Sequence, residues 1–508
     1  MRRALFAASL LLVGCHSART YDANTVVVDI ESSPNNLDLR IGSDAQSEHI
    51  GALVFESLVR KDAQYNLQPF LAESWEQPDP LTLVFHLRPN VRFHDGSPLT
   101  AADAAWTIES MHNGTLLTAK SGSFANVLKA EATAPLTCAL HLKRPDAGLL
   151  FNLSDGLSGI VKQGTGKNAP LIGTGPFRFI SQLTDKDVTL ERNTDYWGTP
   201  AHIERVRFEV VPDAITRALE VQKGSADIVS NALSLDTVYA LRSDPQVIVE
   251  TYPGSILNYL NFNTTDPILR DPRVRQAIAF AVDRPAILHA LFRDEARLSN
   301  TMLPDGHWAA ASAAEIPTYT FNPDRARSLL DAAGHTPNSK GIRLQLTLKT
   351  STDDTTRLLA VILQQQLRNV GIDLELRANE FGTFYSDVTK GAFQIYALRW
   401  LGANEDPDIY RYAYATASFP PKGANRGRFS NAQVDTLIAQ GQALGSSPED
   451  QQKRRTIYLQ LQRILATEEP SLNLWFLNNI VVHSRRLRNV RPTASATFDF
   501  LRTAEIVP

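Results

Sequence analysis

GTGPFRFISQLTDKDVTLERNTDYWG, residues 173–198, is the stretch on which the fold turns. Two glycines before Pro176 mark a tight backbone approach and a stop. Phe177 and Phe179 then start a strand, residues 184–186 form a polar turn, and Val188 and Leu190 alternate back on one face. That pattern is an antiparallel hairpin. Residues 192–198 close the unit with Asn, Asp and two large aromatics in a loop. Such a hairpin serves many folds, so the chain around it has to discriminate between them.

At 508 residues the chain is too long for one core, and two or three domains are expected. Its 43% hydrophobic and 21% charged content is that of a globular protein, and a net charge of −3 gives no case for nucleic-acid binding. Residues 1–14 read as a signal peptide: Arg2 and Arg3 lead a short apolar run that cannot span a bilayer. The run ends in Leu12-Val13-Gly14-Cys15, which has the form of a lipobox, against the alternative of a chance Cys. Processing removes two arginines and no acid, so the charge of −3 becomes −5. Cys138 is then the one thiol left; it lies in an apolar strand and reads as a buried hydrophobe. Export is thus argued from the leader and not from disulfides.

Upstream of the hairpin, residues 26–30 form an apolar strand followed by the polar loop SSPNNLDL (32–39). Ile50, Leu53, Val54 and Leu58 have helical spacing, and Leu81, Leu83, Phe85 and Leu87 alternate as a strand. Thr100 and Asp103 predict a capped helix burying Ala104, Ile108 and Met111. Downstream, Asp213 to Gly224 bracket a short helix, and Asp271-Pro272 and Asn322-Pro323 each open a helix with Pro at its first position. Residues 259–263 (YLNFN) read as a short strand crossing between lobes. Alternation at 342–348, an amphipathic helix at 355–370 and alternation at 372–376 predict a parallel crossover, hence an α/β lobe. Residues 393–400 form one more strand, ending in the Gly/Pro/Asp loop LGANEDPD (401–408). A long helix at 448–467 precedes a strand at 472–483.

Catalytic patterns are missing from the sequence. There is no phosphate loop, no Gly-x-Ser-x-Gly, no nucleotide fingerprint, and no Cys-x-x-Cys or His-x-x-x-His. His94 and Asp95 are adjacent on a turn and point apart, so they read as structural. Asp353/Asp354 and Glu468/Glu469 are consecutive and read as solvated helix ends. No catalytic residue, metal site or cofactor is expected.

Four words, in chain order, resemble one family: RFHDGSPLTAADAAWTIE (92–109), the hairpin itself (173–198), VVPDAITRALEVQKGSADIV (210–229) and RDPRVRQAIAFAVDRPAI (270–287). They are similar to the bacterial extracellular solute-binding proteins of family five, the oligopeptide/dipeptide/nickel type. The resemblance implies an α/β, two-lobed periplasmic-binding-protein fold of type II character, with an extra small α+β domain in the first lobe. Lobe I is expected at 24–47, 168–257 and 483–508, the extra domain at 48–167, and lobe II with its crossings (258–263 and 472–482) at 258–482. It further implies a monomer that encloses a peptide-like or other small solute by hinge closure. Delivery would be to an inner-membrane ABC permease with its ATPase subunits, from an extracytoplasmic position tethered by lipid on Cys15. An exported hydrolase of peptides or glycans, and a sensor that does not transport, are the alternatives.

The resemblance also places the ligand at Trp400, Arg399, Gly402, Ala403, Asn404 and Asp406, with Ser33 and Asn35 from the loop after the first strand. A core position for Trp400 competes with a cavity-lining one, and Arg399 either meets an anionic ligand or faces solvent. In peptide-binding members the residue three after this Trp is an Asp that pairs with the ligand's α-ammonium. Here it is Ala403, so a free-amine di- or tripeptide is expected to bind poorly unless Glu405 or Asp406 substitutes.

Overall fold

The computed structural model describes residues 23–507, apart from 114, 117, 119, 155–157, 403–404 and 446. The leader and Cys15 lie outside the described residues. Among the described residues no helix is long and apolar enough to cross a membrane.

One eleven-stranded sheet runs through both lobes. Its spine is a pair of long antiparallel strands, Val247–Phe262 and Ser471–Ser484, that cross from one lobe to the other. On the lobe I side follow Ile228–Ser230, Thr25–Ile30, Arg205–Val210, Asp187–Arg192 and Phe177–Leu183, and on the lobe II side Ile395–Trp400, Leu344–Ser351 and Ile372–Asn379. Ala296–Leu298 adds a short strand against Ser471–Ser484. Leu344–Ser351 pairs parallel with Ile372–Asn379 across helix Asp354–Arg368, the crossover that the alternation predicts. A separate four-stranded antiparallel sheet, covered by helix Ala101–His112, forms the α+β domain with its own core around Phe85, Ile108 and Leu140.

The hairpin word is a junction between that small domain and lobe I. A Cβ on Gly173 would stand 1.9 Å from the Val54 carbonyl oxygen, and the Gly175 N–H donates to that same oxygen at 2.9 Å. Only glycine lets the two backbones approach so closely. Thr174, Tyr196 and Trp197 all donate to the buried carboxylate of Glu56, at 2.9, 2.5 and 2.7 Å. Arg502, arriving from the C-terminus, completes the set at 3.4 Å. Burial pushes the Glu56 carboxyl up, and Arg502 with these donors pulls against it.

Some expectations need correction. The crossing strand read at 259–263 is the end of a sixteen-residue strand, Val247–Phe262, which takes in Pro253 and Gly254 through a register shift between Pro253 and Leu257. Leu81 is a half-exposed turn residue whose N–H is held by Asp79, and Leu58 follows the helix Ala45–Val54 rather than lying in it. Glu469 is not a solvated helix end. It is buried beside Arg284 and Arg275, and desolvation pushes its carboxyl up to about 8. Helices Arg284–Phe292, Phe381–Lys390 and Ala432–Gln442 have no counterpart in the sequence reading.

Candidate functional site

Strand direction brings two sheet ends together. Ile395–Trp400 runs antiparallel to Val247–Phe262, with Trp400 opposite Leu257 at the irregular middle of the crossing pair. Thr25–Ile30 and Ile228–Ser230 run parallel to each other and end toward the same middle from lobe I. Carboxyl ends of strands in open α/β sheets are where ligands bind.

At the lobe II end Trp400 is 8% exposed and belongs to an aromatic cluster. Its ring stacks on Tyr259 at 5.6 Å between centroids and meets Tyr412 edge-on at 6.3 Å. The Arg426 guanidinium lies over it at 5.4 Å and over the Tyr385 ring at 5.2 Å. Phe381 stacks on Tyr385, and Phe381, Tyr385, Tyr412 and Leu401 leave large apolar surfaces open. Arg399 takes the other face of the sheet, as alternation requires, and its guanidinium stands 3.9 Å from Asp353. The cation at the Trp400 ring is therefore Arg426. It sits in a loop without periodicity, and sequence reasoning missed it.

Loop 401–408 leaves Trp400 through Gly402; Ala403 and Asn404 lie outside the described residues. Glu405 points away from the aromatic cluster toward lobe I and the small domain. Its carboxylate accepts from Lys61 at 2.6 Å, Ser255 at 2.6 Å and Ser495 at 3.2 Å. Its carbonyl accepts from His307 Nε2 at 3.1 Å, and the His307 ring lies under Tyr65 of the small domain. The His307 Nδ1 accepts from the Ala309 N–H, and burial pushes the imidazole down to about 3, so it is neutral. Asp406 accepts from the Asp408 N–H, and desolvation, opposed by Arg454, pushes it up to about 6. Both acids are thus engaged within the protein.

Ser33 and Asn35 occupy the loop after the first strand. The Ser33 hydroxyl accepts from the Asp185 N–H at the hairpin tip, and the Asn35 N–H donates to Asp44 at the start of the next helix. These described hydrogen bonds stay within lobe I and do not join the Trp400 cluster.

One sheet running through two lobes, with a small α+β domain beside it, defines the class of two-lobed periplasmic-binding-protein folds. Within it, residues 66–420 match the model of the bacterial extracellular solute-binding proteins, family 5 (Middle), and the chain belongs to that family. It is 27% identical to the heme-binding protein A of Haemophilus influenzae over 92% of both chains. It is 25% identical to the dipeptide-binding protein of Escherichia coli over 95% of this chain and 93% of that one. The solved structure of HbpA2 from Haemophilus parasuis superposes with a TM-score of 0.83 at 26% identity, covering 95% of this chain and 100% of that one.

Proposed function

We propose that the protein is the extracytoplasmic solute receptor of an ABC importer, held to a membrane by lipid on Cys15. A peptide-like or related small solute is enclosed between the lobes by hinge closure and handed to a permease with its ATPase. The observation that carries this reading is the Trp400 wall at the middle of the crossing strands, flanked by a loop that reaches both lobe I and the small domain through Glu405. Named ligands among the relatives range from heme to dipeptides, which supports the scaffold more than any one solute. With Glu405 held by Lys61, and Ala403 in place of an acid, an ordinary free-amine dipeptide is expected to bind poorly.

Trp400→Ala tests the site. Calorimetry with the solute that co-purifies, identified by mass spectrometry, should show a loss of about 2 kcal/mol or more, as for buried aromatic anchors, with cooperative unfolding retained. A variant that only loses stability returns Trp400 to the core. Cys15→Ser tests the anchor: the variant should accumulate as an unprocessed or a freely soluble exported protein, and one that is processed yet partitions to membranes like the wild type overturns the anchor, since stable tethering needs more than one acyl chain.

A further inference from the structure

Arg426 is a buried cation with no charged partner. It is 8% exposed and forms no ion pair among the described residues; its side chain donates to the Tyr385 hydroxyl at 2.9 Å. Among the described residues its other neighbours are aromatic: the faces of Trp400 and Tyr385, and the phenols of Tyr259 and Tyr396, which stand 3.3 Å apart, the Tyr396 phenol also within hydrogen-bonding reach. Burial pushes both of these phenols above their ordinary range, so they stay neutral and supply no countercharge. Cation–π contacts return only part of what taking a charge out of water costs.

The protein nevertheless fixes this residue in place. Asn425 donates to the carbonyls of Ala415 and Phe429 at 3.0 and 2.7 Å and accepts from the Phe429 N–H, and the Gly427 carbonyl accepts from Thr264. The loop is thus nailed down on both sides of Arg426. The half-exposed ring of Tyr385 lies against it and that of Tyr412 meets Trp400 edge-on, so an open apolar surface adjoins the charge.

We propose that Arg426 anchors a carboxylate carried by the bound solute, the fork of the guanidinium supplying the polar contact while the apolar body of the solute lies on Trp400, Tyr385 and Tyr412. This rests on the reading of the Trp400 wall as the solute site. A planar carboxylate matches the donor geometry and neutralises the charge that nothing else in the described residues does.

The test compares acids with their amides. One probe pair is a tripeptide pool with free C-terminal carboxylates against the same pool C-terminally amidated; the other is 3-phenylpropionate against 3-phenylpropionamide. Wild-type protein should bind the acid of a pair about thirtyfold or more tighter than the amide, the scale of an unpaired buried charge. Arg426→Gln should abolish that preference, and Arg426→Lys should keep part of it. Tyr385→Phe, which removes one hydrogen bond and no charge, should keep most of it. A preference in the phenylpropionate pair alone sustains the inference and removes peptides as the solute. Equal binding of acid and amide by the wild type in both pairs overturns it, whether or not the variants fold. Failure of the underlying site reading looks different: Trp400→Ala would then bind acid and amide as tightly as the wild type does.

Discussion

His94 ties two parts of the chain together with three hydrogen bonds. Its backbone N–H donates to the Gly173 carbonyl at 2.9 Å, its Nδ1 accepts from the Gly173 N–H at 3.3 Å, and its Nε2 meets the Gly175 carbonyl at 3.0 Å. With Nδ1 accepting, Nε2 carries the proton and donates, so the ring works only as the neutral tautomer. Burial pushes its pKa down to about 4. A depressed histidine contributes stability that is present above the unfolded value near 6.5 and lost as pH falls toward 4. His94→Ala leaves buried polar partners unmet and should cost about 1–3 kcal/mol at pH 7.5, and its deficit relative to wild type should shrink between pH 6.5 and 4. Urea titrations at several pH values check this, and a deficit independent of pH would refute it. Asp95 meanwhile pairs with Lys162 at 2.8 Å, which fits the reading of this adjacent pair as structural.

At the scale of elements, the crossing strands hold the main conformational problem. Gly254 sits in the irregular stretch of the first one, where a Cβ would stand 2.5 Å from the Leu477 carbonyl oxygen and 2.8 Å from the Asn479 amide oxygen. Gly254→Ala has to push the two strands apart, and overpacking of this kind costs about 1–3 kcal/mol. Thermal unfolding should show the loss; a variant as stable as wild type would mean the strands slide freely. The same region explains what was and was not legible. Helices that open on Asp-Pro or Asn-Pro were readable because cap and stripe agree, and Asp271, Asn322 and Asp213 all accept at their helix starts. The extent of the crossing strand was not, because Pro253-Gly254 is a local break that only the partner strand overrides. Trp400 was readable as a large residue at a strand end. Arg426 was not, since its neighbours come from 259, 385, 396 and 400, and no local pattern carries that convergence.

At the scale of the whole molecule, Glu405 ties together the most distant parts of the chain. It joins the loop of lobe II to Lys61 of the small domain, to Ser255 in the crossing strand and to Ser495 near the C-terminus, and both members of the Lys61–Glu405 pair are nearly inaccessible. Gln451 adds a second tie to the small domain through Asn66 at 3.1 Å. If closure encloses the solute, this pair forms on closing, and neutralising Glu405 takes the carboxylate away from the buried Lys61 charge, which costs about 3–5 kcal/mol. Glu405→Gln should then populate a more open form, seen as a larger radius of gyration in solution scattering. Solute affinity should fall with it, because only the closed fraction binds fully. Lys61→Met combined with Glu405→Gln removes both charges, and replacing a buried pair by neutral groups is often close to neutral. The double variant should therefore recover most of the compactness and affinity that the single one loses. A scattering curve unchanged by Glu405→Gln, or a double variant more open than the single, would show that the pair merely braces the loop and takes no part in closure.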